Sequence, residues 1–121
     1  VGKRILTIDD SKTIRDMLAF TLGRAGYEVI QAEDGRKGLE AVAGGTFDVI
    51  ITDINMPVMD GIAFIREARA LASCKATPIL VLTTETSDEK KTQARAAGAT
   101  GWIVKPFDPA KLLAVIDKVS P

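Results

Sequence analysis

Asp48-Val-Ile-Ile-Thr52 and Pro78-Ile-Leu-Val-Leu82 carry the reading of the fold. Their centres, Val49–Ile51 and Ile79–Leu82, are continuous and aliphatic. A strand with one wet face alternates apolar and polar residues, whereas an unbroken apolar run fits a parallel strand covered by helices on both faces. Outward from these runs, Arg4-Ile-Leu-Thr-Ile8, Glu28-Val-Ile-Gln31 and Gly101-Trp-Ile-Val104 read as three further strands. The stretches between them have helical periodicity. Ile14, Met17, Leu18 and Leu22 share a face, with Gly26 as the expected C-cap. Leu39 and Val42 mark a second helix that Gly44-Gly45 ends, and Ile62, Phe64, Ile65, Ala68 and Leu71 mark a third. Residues 87–97 are helix-prone but poor in large apolar side chains, with a Ser87-Asp88 start. The last helix, Asp108-Pro109 through Val119, opens on an aspartate cap with proline at its first position. Strand and helix thus alternate five times, which predicts an α/β fold: one domain over residues 1–121, a parallel sheet with helices on both faces.

The 121 residues suffice for one core and are too few for two. Sixteen basic and sixteen acidic residues cancel, so net charge gives no support to nucleic acid or an anionic membrane as a partner. Histidine is absent, which excludes histidine acid–base catalysis, a phosphohistidine relay on this chain and His-ligated metal. The single cysteine, Cys74, excludes an internal disulfide and a thiolate metal cluster, and it fits a reducing compartment. No run approaches the roughly 18 to 20 apolar residues of a membrane span. Val1-Gly2-Lys3-Arg4 leads straight into a strand, so no signal peptide is visible and a cytoplasmic location is expected.

In an open α/β sheet, ligands bind beyond the carboxyl ends of the strands, where strand order reverses. Those ends carry Asp9-Asp10-Ser11, Asp53-Ile54-Asn55-Met56-Pro57, Thr83-Thr84-Glu85 and Lys105-Pro106-Phe107. Taken singly, each has an ordinary structural use: Asp10 or Ser11 as a helix cap, Asp53 as a loop acid, Lys105 as a surface cation, Thr83 as a strand-end hydroxyl bonded to backbone. Taken together they place three acids, a hydroxyl and a lysine on one edge. Three crowded carboxylates repel one another and call for a cation. An all-oxygen donor set selects a hard ion, Mg2+ before Ca2+. A lysine beside it suits a phosphoryl oxygen.

At these residues the sequence resembles the response-regulator receiver domains. The resemblance runs from Arg4 to about Val119 through Ile8-Asp9-Asp10-Ser11, the run Asp53 to Gly61, Leu82-Thr83-Thr84-Glu85, Gly98-Ala99-Thr100-Gly101 and Lys105-Pro106-Phe107. Asp53-x-Asn55 with Thr83-Thr84-Glu85, and no output domain attached, is most similar to the chemotaxis regulators of that family. The resemblance implies a strand order of 2-1-3-4-5 with five helices. It implies Asp53 as phosphoacceptor from the histidine of a partner histidine kinase. Asp10, Asp53 and the Asn55 backbone carbonyl would hold Mg2+, with Asp9 acting through water. Lys105 would pair with a carboxylate at rest and a phosphoryl oxygen afterwards. Thr83 would turn its hydroxyl to that group, the Thr84 amide would donate to it, and Lys105-Pro106 would be cis. Asn55 and Glu85 would flank the attacking water, giving a phosphoryl state that lasts seconds to minutes. The chain would be no enzyme beyond catalysing its own phosphorylation and dephosphorylation.

Trp102 stands where the family usually carries tyrosine or phenylalanine. The resemblance implies that this aromatic moves inward when Thr83 moves, reshaping the surface of the fourth helix, fifth strand and fifth helix for an output protein such as a flagellar motor switch component. The competing reading is a static, half-buried indole. Lys90, Lys91 and Arg95 would meet an acidic partner or form a solvated face. A monomer is expected, and a stand-alone regulator is preferred to a phosphate sink or the receiver of a longer transcriptional regulator. A haloacid-dehalogenase-type phosphatase needs an acid two residues after its nucleophile, where Asn55 stands. A flavodoxin-like module needs a phosphate-cradling loop where Asp9-Asp10 would repel one.

Overall fold

A computed structural model describes residues 3–121. Its strands are β1 (Arg4–Ile8), β2 (Glu28–Ala32), β3 (Val49–Thr52), β4 (Ile79–Thr83) and β5 (Gly101–Val104). The helices are α1 (Lys12–Arg24), α2 (Gly35–Gly44), α3 (Gly61–Arg69), α4 (Asp88–Ala97) and α5 (Pro109–Val119). All pairings are parallel, in the order β2-β1-β3-β4-β5. The order reverses at β1, with β2 on one side and β3 on the other. The crevice expected of such a sheet therefore opens between the ends of β1 and β3.

Two cores explain the aliphatic runs. On one face Ile5, Val49, Ile51, Leu80 and Leu82 pack against Leu18 and Leu22 of α1 and Leu112 and Ile116 of α5. On the other, Leu6, Ile8, Ile50, Ile79 and Val81 meet Val42 of α2, Ile62, Phe64, Ile65 and Ala68 of α3, and Ala94 of α4. Successive residues of one strand thus enter opposite cores, which is why β3 and β4 hold no polar position before Thr52 and Thr83.

Each helix opens on a short polar side chain that takes up one of the free N–H groups of its first turn. Ser11 accepts from Ile14, Asp34 from Lys37, Asp60 from Ala63, Ser87 from Lys90 and Asp108 from Ala110. Because every helix follows a parallel strand, all five capped N-termini lie along the edge where the strands end.

The structure departs from the sequence reading at several boundaries. β2 runs on to Ala32, β3 begins at Val49, and β4 spans Ile79–Thr83, so Thr83 belongs to the strand. Asp48 is instead drawn to the Arg4 backbone N–H at 2.7 Å. α1 caps at Ala25, and Gly26 follows in the left-handed region at φ 96. The third helix stops at Arg69, two residues short of Leu71, and a 3-10 turn, Ala72–Cys74, follows. Ala70 and Leu71 bond back three residues, to Glu67 and Ala68, which tightens the last turn and swings Leu71 onto the core as extended backbone.

Candidate functional site

β1 and β3 end side by side, and each hands over to an aspartate. Asp9 N–H still bonds Ala32 O, and Asp53 N–H bonds Ile8 O, so both residues leave the sheet in register. By the alternation of the strands, Asp9, Asp53 and Lys105 project on the α1–α5 side. Lys105 Nζ donates to Asp9 Oδ2 at 2.8 Å and to Asp53 Oδ2 at 2.7 Å. The remaining oxygens are also used: Asp53 Oδ1 accepts from Ile54 N–H at 2.6 Å and Asp9 Oδ1 from Ser11 N–H at 2.9 Å. Asp9 and Asp53 are 2% and 8% exposed, whereas Asp10 is open to solvent. One carboxylate oxygen from each of Asp9, Asp10 and Asp53 lies within 4.8 Å of the others.

Charge at this cluster is unbalanced, since one ammonium faces three carboxylates. Burial pushes the Asp9 carboxyl above the ordinary carboxylate range, against the opposing effect of Lys105 and the Ser11 N–H. Burial also works against the Lys105 ammonium, but its hydrogen bonds to Asp53 and Asp9 outweigh this and lift it above the ordinary lysine value. Ionised Asp9 is therefore penalised until more positive charge arrives. The donors are oxygens alone, and Asp10 accepts no hydrogen bond from any described residue. A hard divalent cation fits such a set.

The loop from Asp53 to Gly61 is built to hold the acceptor. Thr52 Oγ1 donates to Asp53 O at 2.8 Å, and Gly61 N–H to Ile54 O at 2.8 Å. Gly61 passes so near that a Cβ there would lie 2.0 Å from Asp53 O, closer than any side chain permits. Val58, 77% exposed, takes up the slack at φ 69. Met59 O accepts from Gly35 N–H at 3.0 Å and ties this loop to the start of α2. Lys105-Pro106 is cis, as the resemblance implied.

Thr83 is fully buried at the end of β4, on the opposite face of the sheet from Asp9 and Asp53, and its Oγ1 accepts from Glu85 N–H at 3.2 Å. Val81 is paired with Trp102 and Thr83 with Val104, so Trp102 and Thr83 share a face one pleat apart. The indole is half-buried against the α2–α4 core. Its Nε1 is buried without a partner among the described residues, and Lys91 Nζ lies 5.9 Å from the ring centroid. Thr84 and Asn55 are exposed. The Glu85 carboxyl sits below its ordinary range, chiefly because Ser87 N–H donates to it, with the Asn55 amide adding to the effect.

Asp9, Asp10, Asp53 and Lys105 thus form one cluster, while Thr83 and Trp102 stand on the other face of the sheet. Sequence reasoning missed the parts that act through backbone: the Ile54 N–H, the close pass of Gly61 and the Arg15 guanidinium, which donates to Asp9 O at 2.6 Å. Gly61 left a signal, because a glycine directly after a helix cap invites the question of what it touches. Arg15 left none beyond its place in the first turn of α1.

The chain is similar to proteins already known. A family described as the response regulator receiver domain matches residues 5–117. Chemotaxis protein CheY-3 of Vibrio cholerae serotype O1 is 38% identical over 117 residues, covering 96% of this chain and 90% of that protein. The solved structure of CheY4 from Vibrio cholerae is 51% identical with a TM-score of 0.94, covering 98% of this chain and 99% of that one. The receiver domain of the Pseudomonas aeruginosa PAO1 sensor histidine kinase PA1611, solved with magnesium coordinated in its active-site cleft, is 27% identical with a TM-score of 0.91. It covers 98% of this chain and 97% of that one.

Proposed function

We propose, on the premise that the chain belongs to the response regulator receiver family and is a CheY-like member of it, that Asp53 accepts a phosphoryl group from a histidine kinase. Signalling by phosphorylation belongs to the family; the roles of individual residues are our reading. The observation that carries it is the shared grip of Lys105 on Asp9 and Asp53 beside a solvent-open Asp10. Asp10, Asp53 and the Asn55 backbone carbonyl would hold Mg2+, with Asp9 acting through water. When bound, the ion supplies the positive charge that neutralises a transferring phosphoryl group.

The chain's own groups do the rest. An Asp53 oxygen forms the new bond to phosphorus as the bond to the donor imidazole breaks, and the leaving imidazole takes its electron pair back. Lys105 loses Asp53 as a partner and gains a phosphoryl oxygen. Thr83 Oγ1 leaves the Glu85 N–H to donate to the phosphoryl group, with the Thr84 amide as a second donor. Its departure opens the pleat beside Trp102, the route by which the site reaches the surface of α4, β5 and α5. Asn55 and Glu85, adjacent at the mouth, set the water's path and hence the lifetime. The target is an output protein of the motor-switch kind, the chain working as a cytoplasmic monomer.

The test is a titration of Mg2+ and then beryllofluoride, a phosphoryl mimic, into wild type and Asp53→Asn, followed by Trp102 fluorescence and thermal melting. Wild type should melt higher with each ligand, because binding stabilises the fold by about 2.7 kcal/mol at a concentration a hundred times Kd. Trp102 emission should change with beryllofluoride only when Mg2+ is present. Asp53→Asn should stay folded and lose the beryllofluoride response. A wild-type melt indifferent to both ligands defeats the reading; a melt that responds while Trp102 stays silent retires only the switch.

A further inference from the structure

The Asp10 side chain has no partner among the described residues to aim it, yet its main chain is tethered on both sides. On the upstream peptide, Asp9 O accepts from Arg15 Nη1 at 2.6 Å. On the downstream peptide, Ser11 N–H donates to Asp9 Oδ1 at 2.9 Å. Asp9 is itself fixed by its N–H on Ala32 O, and Arg15 by its place in α1, where its own N–H bonds Ser11 O at 3.0 Å. The other cation lining the groove beside Arg15, Lys37, is occupied by Glu33. Arg15 is thus turned toward the carbonyl and has no carboxylate partner among the described residues.

We infer that Arg15 is a positioning residue for the cation site: by pinning the Asp9–Asp10 peptide it sets where the Asp10 carboxylate stands. The inference rests on the reading of Asp10 as a metal ligand. It runs against simple electrostatics. A full positive charge beside a cation site repels the incoming ion, so an Arg15 that acted only as a charge would weaken Mg2+ binding, and its removal would tighten it. A positioning Arg15 gives the opposite sign, because an exposed aspartate freed from a fixed backbone must be ordered by the metal itself.

The experiment compares wild type, Arg15→Ala, Arg15→Lys and Asp10→Asn by calorimetric titration with Mg2+ alone. Metal-free melts and amide hydrogen exchange at Asp10 and Ser11 are recorded alongside. Arg15→Ala is expected to weaken Mg2+ binding about tenfold, in the range that supporting groups of metal ligands show. Its metal-free melt should change little, and the Asp10 and Ser11 amides should exchange faster. Arg15→Lys, which keeps a donor and the charge, should recover part of the affinity, and it carries the comparison if Arg15→Ala folds poorly. Mg2+ affinity that is unchanged or tighter in Arg15→Ala, or in Arg15→Lys standing in for it, overturns the inference. Asp10→Asn separates the two failures. If it binds Mg2+ like wild type, the metal-site reading falls and takes Arg15 with it; if it loses Mg2+ while the Arg15 variants do not, only Arg15 falls.

Discussion

Val58 is the one described non-glycine residue at positive φ, and as a β-branched residue it is a poor one for that role. It stands 77% exposed, so no packing of its side chain offsets the strain. Asparagine tolerates this conformation better. Val58→Asn should therefore stabilise the fold by about 1 kcal/mol, measured by urea unfolding with an unchanged m-value. At this scale the sequence was informative where chemistry is local to a strand end. Asp9, Asp53, Thr83 and Lys105 could be named because the rule for parallel sheets says where to look. Arg15 could not, since it acts on a carbonyl whose nearness is a product of the fold, and Gly61 offered only the hint of a glycine placed directly after a helix cap.

Among the elements, α4 is the most unevenly held. Ala94 is its sole buried residue, as its poverty in large apolar side chains foretold. Its C-terminal end is nonetheless tied down by a residue outside it. Arg69 donates to Gly98 O through Nε at 3.0 Å and Nη2 at 2.8 Å, and through Nη1 to Cys74 O and Thr77 O at 2.5 and 2.6 Å. Gly98, at φ 119, leaves no room for a Cβ, which would meet the Arg69 side chain at 2.8 Å. Burial holds the Arg69 guanidinium below its ordinary value, and no carboxylate faces it among the described residues. Arg69→Ala should cost about 3 kcal/mol in urea unfolding, because several carbonyls lose their donor at once, and Arg69→Lys should recover only part. The helix periodicity showed that α3 and α4 exist; it gave no hint of this tie, and for the same reason it ran α3 on to Leu71.

Across the whole molecule, sheet order and layers were readable because unbroken aliphatic strands admit few arrangements, and family resemblance chose among them. Response to pH is a property at this scale too. The chain has no histidine, so no side chain with an ordinary pKa between 5 and 8 titrates there. On the alkaline side, burial and the hydrogen bond from its hydroxyl to Asp117 Oδ1 at 3.0 Å raise the Tyr27 phenol above 10.0. The folded state holds that proton longer than the unfolded chain does. The contribution is thus complete below pH 10 and lost as pH rises through the raised value. Tyr27 is the only tyrosine, so absorbance near 295 nm reports its titration directly. Denaturant midpoints should fall above pH 10, and by less in Tyr27→Phe.

The Arg69 tie has a mechanical meaning as well. A ten-residue helix clamped at one end is a cantilever about 15 Å long. A tilt of about 10° at the clamp carries the free tip, next to Ser87 and Glu85, through about 2.6 Å at that length. The anchor at the far edge of the sheet thereby decides which end of the helix has compliance, and it gives that compliance to the end nearest the acids.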